Sequence, residues 1–549
     1  MVTINSAESN RSQLRYIPEV VWGTTPASGR TREMRITSSS LVTDKGTQVS
    51  EEIRADRMVP SIIEVSAMAT GGYEGEFSAF SHDDMFQGFL LGAWSKPMTG
   101  FQVKGTSVTI TDTDEITITG ADWRDWLTVG HWLKLEGFLA TNNNTYVSIA
   151  SLAFTGGNTV ITTNETTLTA SAGSAFTKIL DANDVILVST GTAITSGNTI
   201  NGGGSNAFSG DVLKVGQKIW MDGLGKETGT VVVTTTDPNE GATVTVSDGV
   251  STVVFEVRTN AALVAAGNVH VPRSGTEATQ AASLAAAIQS QFAQENLRVS
   301  ATVSTATVTL TNHRLTGGSI ATSQAGAFTV TNFSGGSTSK GGFLTISSLP
   351  DDDTIVVAET LTTDANAGSL PVVIKGSHLR NPGAISDITK QSFSIETGFT
   401  DVNKYFLMTG LRPGSFEMNV EAGELVTLGF EFMGRATSTS STSTLGNTSA
   451  YDVLGTTGTE VLNATANVGA VKKDGTTLST AVMSIEMSGD AGLREQPAVG
   501  EKFPAGIGYG RFTLEGTIVA YFQDFDFYSD FINHTTVSIS FDFEDVDHN

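Results

Sequence analysis

A ten-residue word that occurs twice restricts this chain more than any other feature. Residues 129–138, VGHWLKLEGF, return at 215–224 as VGQKIWMDGL, and residues 144–152, NTYVSIASL, return at 341–349 as GGFLTISSL. A looser match joins NTVITTNETTLT, from Asn158, to DTIVVAETLT, from Asp353. Between its first two words the later copy holds about 110 additional residues. Self-similarity of this kind indicates small modules added to a host, not one large enzyme core. Long alternating patterns on both flanks read as two halves of one split host domain.

At 549 residues the chain exceeds what a single core supports, so several domains are expected. Only 16% of residues are charged, while glycine, at 58 residues, accompanies abundant Thr, Ser, Val and Phe. That mixture suits half-buried strands joined by tight turns. The net charge of −25 argues against a surface that grips phosphate, although not against one that encloses nucleic acid while repelling it. Cysteine is absent, which excludes a disulfide framework, a thiolate metal site and a cysteine nucleophile. The first residues lack the apolar core of a signal peptide, and no run approaches a membrane span.

The expected organisation is a host half at 1–100, module copy 1 at 101–198, module copy 2 at 199–376, and a second host half at 377–549. Within copy 2, residues 228–336 read as a nested ββ-α-ββ unit. Its parts are a hairpin turning at Ser247-Asp-Gly, an Ala-rich helix in EATQAASLAAAIQSQFAQEN, and further strands. In the first host half, SIIEVSAMATGGYEGEFSAF reads as two strands around Gly71–Gly72, and DDMFQGFLLGAW as a short helix with Ser81 as its N-cap. In the second, Asp401–Thr409 reads as a short helix or turn, and Gly423 as a bend between two long strands. ATSTSSTSTLGNTSA reads as a mobile low-complexity loop. Asp524, Asp526 and Asp530, alternating with Phe525 and Phe527, read as strand patterning. In LVTLGFEFM, Val426, Leu428, Phe430 and Phe432 share one face of a strand.

Catalytic and metal readings fail on spacing. The seven histidines form no HxH or HExxH pattern, Asp351–Asp353 reads as a polar turn after Pro350, and GIGYG and GGGS match neither a P-loop nor a dinucleotide fingerprint. No carboxylate pair sits in a glycosidase-like aromatic setting. No enzyme activity, cofactor or metal is expected.

The words NSAESNRSQLRYIPEVVWGTTP, HDDMFQGFLLGAW, FEMNVEAGELVTLGFEFMG and the closing FDFEDVD resemble the tail tube proteins of long-tailed (siphovirus-like) bacteriophages. The resemblance covers residues 1 to about 100 and about 377 to 549, and does not reach the middle. It implies a mainly β tail-tube sandwich or barrel with a flanking short helix, to which the duplicated modules are an insertion. It also implies a homo-hexameric ring whose inner strands join between subunits, rings stacked into a tube, and dsDNA passing through the lumen without specific binding. An arm and a long loop bridge neighbouring subunits or rings in that family, a role that the charged stretch Thr31–Pro60 would fit. Tape measure, tail-tip and tail-terminator proteins are the expected partners. The chain would be made in the host cytoplasm and end in the virion tail, with the inserted modules decorating the outside.

Glu74, Glu76, Glu417 and Glu431 lie on the polar faces of the expected inner strands and are the lumen candidates, although any antiparallel sheet facing water shows the same alternation. A second reading, an adhesin or decoration protein binding host-surface glycans, rests on Trp123, Trp126 and Trp132. Those rings could stack on sugars or fill module cores.

Overall fold

The structure is a computed structural model. It describes residues 11–543, apart from 54, 56–60, 139–142, 176, 190–192, 195–196, 203–207, 209–212, 223–225, 236–237, 239, 295, 314–316, 325, 335–341, 362–371, 457–459, 470, 475 and 479. The opening NSAESN, most of GGGS and the closing EDVD therefore lie outside the described residues. The chain divides into two compact units, Met1–Trp94 with Leu379–Asn549, and Ser95–His378. Among the described residues it is mainly β, with 48% strand, three α-helices and no closed barrel.

The first unit is organised by an 18-residue strand, Lys404–Glu421. Its first half pairs with Phe393–Phe399 and Ala436–Ser440; its second half pairs with Thr427–Met433 and Val482–Asp490. The register shifts between Pro413 and Ser415, so one strand serves two sets of neighbours through a bulge. Of Asp401–Thr409, expected as a short helix or turn, only the first three residues, Asp401–Asn403, turn; from Lys404 the chain is strand. The expected hairpin at Gly71–Gly72 is likewise a single 15-residue strand, Ile62–Glu76. Gly71 bends it with a φ of 99°, and a Cβ there would overlap the Ser40 carbonyl.

The core of this unit lies under the helix Asp83–Leu90, which buries Met85 and Phe89. Phe86 and Phe89 meet Phe416 edge-on at 5.6 and 5.0 Å, and Phe86 meets Phe430 at 5.1 Å. Val426, Leu428, Phe430 and Phe432 are all buried, as their alternation requires. The helix is preceded by His82, not Ser81, at the capping position, with no side-chain cap; Ser81 instead bonds Ser78 at 2.5 Å. Asp83 and Asp84 in the first turn supply the favourable charge.

Two further expectations are corrected here. Ala436–Ser440 is a strand, and the chain after it is pinned by Glu396, which accepts from Ser443 Oγ and from the Thr444 and Leu445 amides. Its serines and threonines mimic a loose tract because short polar side chains bond backbone and carboxylate as readily as water. Asp526–Asn533 is a helix. Alternation in FQDFDF suggested a strand, but Phe525, Tyr528, Phe531 and Ile532 also fit helical spacing, and the short segment cannot choose between the two periods.

In the second unit the repeat is exact in topology. One seven-stranded sheet runs Gln102–Lys104, Lys178–Asp181, Trp132–Glu136, Tyr146–Thr155, Asn158–Thr163, Glu115–Thr119, Val108–Asp112. The other runs Val185–Ser189, Val372–Lys375, Lys218–Asp222, Gly342–Asp351, Thr354–Val357, Thr199–Asn201, Ala193–Ile194, in the same order of roles. Gly130 and Gly216 occupy matching turns at φ 90° and 86°. Glu165 accepts from Ser148 N and Oγ at 2.7 and 3.0 Å, and Glu359 from Thr345 N and Oγ1 at 2.7 and 2.9 Å. Ala193–Ile194 pairs with Thr199–Asn201, so strand pairing puts the change of sheet between Asp181 and Val185, upstream of the 198/199 break read from sequence.

The nested segment leaves copy 2 between Asp222 and Gly342. It comprises two four-stranded sheets around the helix Glu277–Ala293, which Thr276 caps in a box with Thr279. The Ser247–Gly249 turn joins Thr243–Ser247 to Thr252–Arg258 as read from sequence. The eight strands are four more than the simple ββ-α-ββ pattern: Glu227–Val233, Val269–Pro272 and Ser319–Thr322 are added, and RVSATVSTATVTLTNH divides into Val299–Ser304 and Thr307–Asn312. Among the described residues no helix is long and apolar enough to cross a membrane.

Candidate functional site: an acidic sheet face with open edges

The strand registers of the first unit place its carboxylates. Directly opposed residues share a face. Glu76 faces Thr427, which faces Asn419, then Glu486 and Thr517. Glu74 faces Gly429, then Glu417, Ser488 and Glu515. Gly72 faces Glu431, then Ser415, Asp490 and Thr513. All four carboxylates singled out from sequence therefore share one face, and none of the residues in these three rows is Lys or Arg. Glu486, Asp490 and Glu515 extend the face across Val482–Asp490 and Thr513–Ala520. Sequence reasoning missed them because their strands could not be aligned laterally with the others, although alternation in SIEMSGD was a usable signal.

The face is polar by construction. Every second residue of these strands (Tyr73, Phe416, Met418, Leu428, Phe430, Ile485) enters the core, which forces the intervening residues outward. Glu74, Glu417 and Glu431 are exposed and Glu76 is half-buried. Ser38 Oγ donates to Glu74 at 3.2 Å, and Asn419 Nδ2 to Glu417 at 3.3 Å. Loss of water to the neighbouring chain raises the carboxyl of the exposed Glu431 above its ordinary value, a hydrogen bond from Ser40 opposes that rise, and the Glu74 charge adds to it. No group of three or more His, Cys, Asp or Glu suited to hold a metal occurs among the described residues.

Among the described residues Thr513–Ala520 pairs on one side only, with Val482–Asp490, and nearly all of it is exposed. At the other lateral limit, Ser38–Ser39 pairs with Glu74 and Tyr73, the Ser40 amide bonds the Gly72 carbonyl and Val42–Val49 pairs with Ile62–Thr70, so the sheet ends on these segments. Leu514, on the core side of the free strand, is 57% exposed, so the apolar layer also stops unfinished at that edge. Open edges of this kind are a liability unless another chain pairs with them.

Trp123, Trp126 and Trp132 belong to the second unit. Trp126 is buried, and Trp123 is half-buried with its ring edge-on to Phe101 at 5.7 Å. Trp132 packs with Tyr146 against Ala182, Val185 and Val373, which joins copy 1 to the start and end of copy 2. The three rings form no common exposed platform. Asp351–Asp353 makes a tight turn in which the Asp353 amide bonds Asp351 Oδ1 at 2.9 Å, and Gly506–Gly508 is a short strand pairing with Arg494–Gln496.

The described residues thus give a mainly β chain whose largest sheet carries one acidic face. Residues 333–549 match the family model described as phage tail tube protein, so the chain carries a phage tail tube protein domain over about two fifths of its length. That match implies a structural role in a tail tube, self-assembly in that tube and a place in the virion tail; such proteins are normally non-enzymatic. No curated protein matches the chain.

Proposed function

We propose that the chain is a tail tube subunit that closes hexameric rings by pairing the free strand Thr513–Ala520 of one copy with the Ser38–Ser39 side of the next. The first unit, residues Met1–Trp94 and Leu379–Asn549, forms the tube wall. The modules between them decorate its outside. Glu74, Glu76, Glu417 and Glu431, joined by Glu486, Asp490 and Glu515, line the lumen. The observation that carries this reading is one acidic face spanning a sheet that is open at both lateral limits. Edge-to-edge closure repeats that face around a ring, satisfies the unpaired backbone and continues the apolar layer past Leu514. A carboxylate lining offers dsDNA no phosphate contacts, so the duplex slides through without being held.

Cryo-electron microscopy of assembled full-length chain is the test. Stacked six-fold rings with the acidic face inward are expected. A closed compact oligomer, or a ring with this face outward, would refute the lumen assignment.

A further inference from the structure

Three cations of the first unit gather on two aromatic rings, a local reversal of the chain's net charge of −25. Arg412 stands 5.6 Å from the Trp22 ring and 5.4 Å from the Tyr509 ring. Arg435 lies 5.7 Å from Trp22, and Lys390 lies 5.9 Å from Tyr509. Each cation is thus held by the electron-rich face of a ring. Among the described residues none of the three forms an ion pair. Lys390 is exposed, and the other four side chains are half-buried, so the group reaches solvent.

The backbone is shaped around this group. Trp22 Nε1 donates to the Gly410 carbonyl at 3.0 Å, and Arg412 Nη1 donates to the Ile507 carbonyl at 2.7 Å. Gly23 and Gly410 hold left-handed φ values of 72° and 71°, and a Cβ on them would stand 2.7 and 2.9 Å from Arg435. Glu19, buried beside these glycines, bonds only neutral donors. Its oxygens accept from the Gly23 and Gly410 amides and from the Ser392 and Ser394 hydroxyls, each at 2.8 Å. Three positive charges therefore face one carboxylate whose oxygens are already engaged.

Hydrogen-bonding capacity is also left unused. Arg412 Nε, Arg435 Nε and Tyr509 Oη are shielded from water and have no hydrogen-bond partner among the described residues. A guanidinium stacked on a ring keeps its N–H edge in the plane that suits a carboxylate or phosphate. A bidentate carboxylate engages Nε together with a terminal nitrogen, and so supplies the missing partner.

Two features choose among ligands of that chemistry. The cations are distributed over two rings, which suits several spaced anionic groups better than one small oxyanion. Carboxylates on alternate residues of an extended peptide repeat at about 7 Å. Next to Trp22, the turn closed by the Val21–Thr24 bridge leaves Val20 91% and Val21 63% exposed. That apolar flank matches side chains lying between carboxylates, and a sugar–phosphate chain has nothing to set against it.

We propose that Lys390, Arg412 and Arg435, set on Trp22 and Tyr509, form a docking site for an extended acidic peptide segment of a partner protein, with apolar residues between its carboxylates. The site does not depend on ring closure, and its failure would leave the tube reading untouched.

Full-length chain is titrated into a fluorescein-labelled peptide of four Glu alternating with four Val, and binding is read as anisotropy. Saturable binding that weakens severalfold from low to physiological ionic strength is expected. Arg435→Gln should weaken it at least tenfold and Lys390→Gln severalfold. Lys404→Gln, at an exposed cation eight residues before Arg412, should leave it unchanged. Lys390 is exposed, so its variant keeps the fold and decides the case even where Arg435→Gln lowers stability. Absence of saturable binding, or equal losses from Lys390→Gln and Lys404→Gln, would overturn the proposal. Displacement of the peptide by an equal concentration of a single-stranded oligonucleotide of the same charge, or of inorganic phosphate, would overturn it too, because the cations would then serve nucleic acid or a small oxyanion.

Discussion

Replacing His82 with glutamine should flatten the acid sensitivity of the first unit between pH 7 and pH 4.5. His82 is 2% exposed, bonds Tyr73 Oη through Nδ1 at 2.9 Å, and lies stacked near the rings of Tyr73, Phe77 and Phe430. Burial lowers its pKa from 6.5 to about 4; a hydrogen bond with the Glu76 backbone opposes that shift, and the Arg35 charge adds to it. The folded state therefore binds fewer protons than the unfolded state within that interval. Stability from this site is complete above the unfolded value and is lost as pH falls toward 4. At 1.36 kcal/mol per pKa unit, the loss between pH 7 and 4.5 is about 2 kcal/mol. Hydrogen exchange of peptides from the core around Tyr73 and the helix Asp83–Leu90 reads it as about a thirtyfold fall in protection, after correction for intrinsic rates. Glutamine keeps a polar partner for Tyr73 but does not titrate in this range. Equal falls in the native and H82Q proteins would refute a buried, neutral His82.

Three other outcomes follow from named contacts. Gly71→Ala should destabilise the first unit by at least ~1–2 kcal/mol in urea denaturation, because a left-handed φ and the Ser40 carbonyl both oppose a Cβ. Glu165→Ala and Glu359→Ala each remove a doubly bonded carboxylate from matching places in the two modules. Their costs should agree within error at about 1–3 kcal/mol; an unequal pair would show that the modules do not use the brace alike. Glu256 is held at about 2 by bonds from Asn268, the Ala265 amide and Arg258, so the stability it lends the nested segment is present above pH 4.5 and lost as pH falls toward 2. Circular dichroism of native and Glu256→Gln protein across that window checks the slope, which should be shallower in the variant.

Much of this protein was legible without coordinates. The duplicated word at Val129 and Val215 survives as matched strands because alternating burial and a glycine turn are local requirements. Phe430 and Phe432 point inward for the same reason: a strand has only two faces, and one must be dry. The choice of Glu74, Glu76, Glu417 and Glu431 needed nothing more than that alternation. Local pattern could not decide which strands lie side by side. That Glu486, Asp490 and Glu515 extend the same face depends on pairings between residues far apart in the chain, whose register no short window contains. Tertiary contacts likewise run one strand through Gly71–Gly72, turn FQDFDFYSDF into a helix and pin Ser443–Leu445 on Glu396. In each of these the local preferences were nearly balanced, and a distant partner supplied the small free energy that chose between them.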